Sequence, residues 1–67
     1  ASARALLIVL NDTPRDQTVA WRPGAALAVQ GDLADAEQPA RRIGPVDGVF
    51  SIPVPAFDYR AMLMDTP

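Results

Sequence analysis

Arg4-Ala-Leu-Leu-Ile-Val-Leu-Asn11 decides the reading of this chain, because an unbroken apolar run occupies Ala5 to Leu10. A run of that length with Ile8 and Val9 inside it predicts a strand buried on both faces. A buried helix would need more length, and the run stops at once in Asn11-Asp12-Thr13-Pro14. Asn and Asp favour turns by bonding to nearby backbone, and a proline drives the residue before it out of helical geometry.

The same punctuation continues outward. Gln17 to Arg22 reads as a second strand, with Thr18, Ala20 and Arg22 on one side and Val19 and Trp21 on the other, closed by Pro23-Gly24. Ala25 to Gln30 lies between two glycines, too short for a stable helix, and is assigned as a short strand. Gly31 to Gln38 is acidic and poor in β-branched residues, which predicts a loop or a single helical turn. Asp32, Asp35 and Glu37 are possible oxygen ligands for a hard cation, but no EF-hand spacing is present and a solvated loop is the preferred reading.

Pro39 to Ile43 predicts a short edge strand, and Asp47-Gly48 is the strongest short-range hairpin signal in the chain. Val49 to Val54 alternates, placing Phe50, Ile52 and Val54 on one face, while Pro53 demands an edge position or a bulge. Ala56 to Met64 alternates as well. Phe57, Tyr59, Ala61 and Leu63 share one face, expected to be interior, and Asp58, Arg60, Met62 and Met64 share the other. These pieces predict an all-β fold, a small antiparallel β-sandwich of about 5–7 short strands with Greek-key-like connections. Residues 1–67 make a single domain with a thin core, since so short a chain buries only about 60% of the surface its unfolded form exposes.

Composition narrows the chemistry. The chain has no histidine and no cysteine, and all its basic residues are arginine. Ser–His and Cys–His couples, thiolate or imidazole zinc sets, a Schiff-base lysine and a Walker lysine therefore cannot be assembled. Asp12, Asp16 and Asp58 lack a deep pocket that would shift their proton affinity, so surface solubility is the preferred reading for them. No catalytic residue, metal ligand or cofactor is expected. A net charge of −2 without a basic stripe gives no footprint for nucleic acid, and the longest apolar run is far too short to cross a bilayer. No signal-peptide pattern is visible, and the compartment stays open.

Two binding readings remain. Trp21 and Tyr59, with Phe57, are candidates for a platform on which sugar rings stack, although packing into the core is preferred for all three. Met62 and Met64 are candidates for a contact with a neighbouring domain, since methionine suits adaptable apolar interfaces.

The order of the pieces resembles a known family. An apolar strand ending in Asn11-Asp-Thr-Pro14, a Gln17-Thr-Val19 strand start, then Asp47-Gly-Val-Phe-Ser-Ile-Pro53 leading through Val54-Pro-Ala-Phe57 to Tyr59-Arg-Ala-Met-Leu-Met64, is similar to the C-terminal β-sandwich domain of α-amylase-superfamily glycoside hydrolases, most of all pullulanase-like debranching enzymes. Pro53 and Pro55 around Val54 depart from the single proline usual there. The resemblance implies an accessory, non-catalytic domain of a larger enzyme, whose partner is the catalytic (β/α)₈ barrel of the same polypeptide and, as a further candidate, α-glucan. It carries no catalytic residue onto any position here, since the family's carboxylates lie in the barrel. A free-standing module that offers an edge strand to a protein partner is the third reading.

Overall fold

The computed structural model describes residues 3–24 and 27–67. It contains strands β1 (Ala3–Asn11), β2 (Gln17–Trp21), β3 (Gln30–Asp35), β4 (Arg42–Ile43), β5 (Phe50–Val54) and β6 (Asp58–Thr66), and no helix among the described residues. β1, β6, β3 and β4 form one sheet in that order, and β2 pairs with β5 in another. Every pairing is antiparallel. The chain passes from one sheet to the other after β1, β2, β4 and β5, so the fold is a small two-sheet β-sandwich.

The core lies between the sheets. Phe50, Ile52 and Val54 of β5 enter it from one side, and Leu33 of β3 with Met62 and Met64 of β6 from the other, all nearly or fully buried. The strict alternation of β5 is thus a one-sided strand, and Pro53 sits on its outer side opposite Thr18, in a sheet of only two strands where a missing ladder donor is tolerated. Asp47 and Gly48 have φ of 52° and 77°, and the backbone of Val46 and Val49 exchanges hydrogen bonds of 2.9 and 3.0 Å. Positive φ at both central residues makes this a type I′ turn, as the Asp-Gly pair predicts.

Three expectations are corrected. β6 alternates as predicted but with the opposite side inward: Met62 and Met64 are 1% and 3% exposed, whereas Phe57 and Tyr59 are 71% and 44% exposed. Unbranched methionine fills the uneven gap between two small sheets, and outward placement leaves the tyrosine hydroxyl free to find a polar partner. Of Gly31 to Gln38, predicted as a loop or a single helical turn, Gly31 to Asp35 belong to β3, and only Ala36 to Gln38 stay outside any strand. Gly31 has a φ of 76° within a register shift between Gln30 and Ala34, and this bulge aims Leu33 into the core. Of the Ala25 to Gln30 strand, Ala25 and Ala26 lie outside the described residues. Leu27 to Val29 is not a strand, since Leu27 N–H closes a turn on the Gly24 carbonyl at 3.0 Å, and only Gln30 enters β3.

Candidate docking surface

β1 is where sequence and structure diverge most usefully. Its inward residues Ala5, Leu7 and Val9 pack against the core cluster, and Asn11 ends the strand buried. Its outward residues Leu6, Ile8 and Leu10 are 56%, 58% and 74% exposed. A strand apolar on both faces is therefore covered on only one, because the outer side of the larger sheet carries no second layer among the described residues.

The register shows what this outer side presents. Residues directly opposite in an antiparallel pair project to the same face. Leu6 lies opposite Leu63, Ile8 opposite Ala61 and Leu10 opposite Tyr59, and beyond β6 Ala34 of β3 lies opposite Leu63. An apolar band thus runs across three strands. Charge bounds one side of it: Arg4 Nε and Asp65 Oδ1 are 3.4 Å apart, and Arg42 Nε and Asp32 Oδ2 3.8 Å. These groups enclose a shallow hollow of about 230 Å³ with Ala34 and Leu63 among its lining residues. Exposed pairs of this kind add at most about 1 kcal/mol each to stability, so they shape the surface more than they hold the fold. Burying what remains exposed of Leu6, Ile8 and Leu10 would contribute together about 4 kcal/mol.

A buried polar joint fixes the far end of the face. The two N–H groups of Asn11 Nδ2 face three carbonyls, those of Arg15, Val54 and Pro55 at 2.7, 3.0 and 3.0 Å, so that one N–H is shared, and its Oδ1 accepts from Thr13 N–H and Oγ1–H at 3.0 and 2.6 Å. Phe57 N–H reaches the Thr13 carbonyl at 3.0 Å, and Ala56 N–H reaches Asp16 Oδ1 at 3.0 Å. Phe57 is thereby held at a φ of 52°, a conformation that costs a bulky residue free energy, with its ring exposed.

The binding candidates read from the sequence fall apart in space. Trp21 stands on β2 in the smaller sheet, half-buried, its ring centroid 5.8 Å from that of Phe50 at an interplanar angle of 37°. Tyr59 stands on β6 in the other sheet, and its hydroxyl donates to Glu37 Oε1 at 2.6 Å. That hydrogen bond, together with the negative charges of Glu37, Asp58 and Asp35, holds the Tyr59 phenol above its ordinary value. Met62 and Met64 lie between the sheets, so the face of β6 open to a neighbour is the one carrying Tyr59, Ala61 and Leu63. The loop carboxylates are each engaged within the protein. Asp32 faces Arg42, Asp35 Oδ1 accepts from Glu37 and Gln38 N–H at 2.8 and 3.0 Å, and Glu37 holds Tyr59.

Leu6, Ile8 and Leu10 were missed as surface residues. The signal was present: Ala5 to Leu10 asks for two covering layers, and a two-sheet sandwich supplies one.

Fold and face together define a small β-sandwich with an uncovered apolar side. No protein-family model, no curated protein and no solved structure matches the chain.

Proposed function

We propose that this chain is a non-catalytic accessory domain that packs the outer face of its larger sheet on the catalytic (β/α)₈ barrel of an α-glucan-acting glycoside hydrolase, within one polypeptide, and stabilises that barrel. The observation that carries the packing half of this reading is the run Leu6, Ile8 and Leu10, each more than half exposed on a strand whose other side is already in the core. Contiguous apolar surface of this kind, bounded by charge, marks a contact site. What supports the hydrolase half is the family-like order of Asn11-Asp-Thr-Pro14, Asp47-Gly48 and the proline-flanked entry to β6. The absence of histidine, cysteine and lysine agrees with a domain that leaves the chemistry to its partner.

The test removes these residues from the parent hydrolase and compares thermal midpoint and activity with the intact enzyme. A lowered midpoint supports the reading, and unchanged stability with unchanged activity overturns it. An α-glucan titration separates the sugar-binding alternative. Trp21 fluorescence stays constant if the domain is a packing module and changes in a saturable way if Trp21 stacks on sugar.

A further inference from the structure

The open edge of β1 carries a second inference, distinct from the face. β1 is the terminal strand of its sheet and runs nine residues against β6 in unbroken register. Its other edge has no partner strand among the described residues. Proteins blunt such edges with short strands, charges, prolines or bulges. Two of the remaining edges here have those devices: β4 is two residues long and contains Arg42, and β5 carries Pro53, while β2 offers five residues against the nine of β1. From Ala5 to Leu10, β1 has none of them.

We infer that this edge pairs antiparallel with β1 of a second copy of the chain, with Ile8 on the two-fold axis. An axis normal to the sheet keeps both outer faces on one side, so paired residues share a face and the axis falls on a residue. With Ile8 there, Leu6 lies opposite the second copy's Leu10, Leu7 opposite Val9, and Arg4 opposite Asp12. Asp12 is exposed and forms no ion pair among the described residues. Neighbouring registers lose this match. An axis on Leu7 sets Arg4 against Leu10, and an axis on Val9 sets Leu6 against Asp12. Opposite charges and matched apolar residues across strands both favour pairing, whereas a charge against leucine does not.

Pairing at this edge uses hydrogen-bonding groups in the sheet plane, whereas packing on the outer face uses side chains that stand off it. Both outer faces lie on the same side of the extended sheet, so a bulky partner on one crowds the other. The dimer therefore belongs to the chain with its outer face free.

The experiment uses this chain alone. Sedimentation equilibrium is expected to show a monomer–dimer equilibrium that Asp12→Arg weakens about fivefold. The natural chain has no cysteine, so single substitutions map the register by oxidation. Ile8→Cys is expected to cross-link with itself. Leu6→Cys and Leu10→Cys do not cross-link alone, because identical positions lie about 13 Å apart along the strand, but a mixture of the two does. A natively folded chain that stays monomeric at every concentration overturns the proposal. So does cross-linking at position 6 or 10 alone that is as fast as at position 8.

Discussion

The side-chain amide of Asn11, the last residue of β1, donates at 3.0 Å to the carbonyl of Val54, the last residue of β5. These strands belong to different sheets, so one buried amide ties the two layers together and also gathers the loops at Arg15 and Pro55. Its own carbonyl oxygen is filled by Thr13, and no buried side-chain polar atom among the described residues lacks a partner.

Asn11→Ala is expected to destabilise the chain by about 2–3 kcal/mol, because removing the amide strands carbonyls that are shielded from water. Asn11→Asp is expected to do no better, since a carboxylate cannot donate to Val54 or Pro55. Urea unfolding followed by circular dichroism measures both. Losses within about 0.5 kcal/mol, the level of an ordinary surface substitution, would mean that the joint is not structural.

Phe57 provides a contrasting case. It holds a φ of 52° while leaving its ring 71% exposed, so the domain gains little packing from a strained backbone. Phe57→Gly is expected to leave the isolated chain equally stable or up to about 1 kcal/mol more stable, as relief of the left-handed strain offsets the extra freedom of the unfolded chain. If the chain belongs to a hydrolase as proposed, the same change in that enzyme is expected to lower the thermal midpoint, because strain of this kind persists where a contact depends on it.

The Tyr59–Glu37 hydrogen bond has a pH signature. The phenol is held above the ordinary value of 10.0, first by that hydrogen bond and the Glu37 charge, then by partial desolvation and the charges of Asp58 and Asp35. Between 10.0 and the folded value the folded chain keeps a proton that the unfolded chain has lost. The contribution to stability is therefore full below the unfolded value and disappears as pH rises through the folded one. Tyrosinate absorbance tracks this directly, because the chain has a single tyrosine. The midpoint is expected above 10.0 and closer to it in Glu37→Gln, and equal midpoints in the two proteins would show the bond absent in solution.

Much of the fold was readable from local signals that need no tertiary context. Asp47-Gly48 specified its turn through two positive φ values, and Phe50, Ile52 and Val54 specified an inward face through strict alternation. What failed depended on the other sheet. β3 has no β-branched residue, and it becomes a strand because Gly31 admits a bulge that turns Leu33 inward against β5 and β6. Alternation in β6 gave two faces but not their sense, since four apolar or aromatic residues on one side outweighed Met62 and Met64 until the core was filled. The exposed apolar face of β1 was half readable. Ala5 to Leu10 asked for cover on both sides, but the sequence does not show which side the chain covers itself.

The proposed packing of Leu6, Ile8 and Leu10 on a barrel in the same polypeptide is checked by Ile8→Thr/Leu10→Thr, measured by thermal midpoint in two settings. Threonine keeps a strand-compatible side chain while removing apolar surface. In the isolated chain the substitutions are expected to change stability by less than about 1 kcal/mol, since both positions are mostly exposed. In the proposed parent hydrolase they are expected to lower the midpoint by about 2 °C or more. An enzyme that melts at the same temperature with and without the substitutions would show that this face does not pack on the barrel.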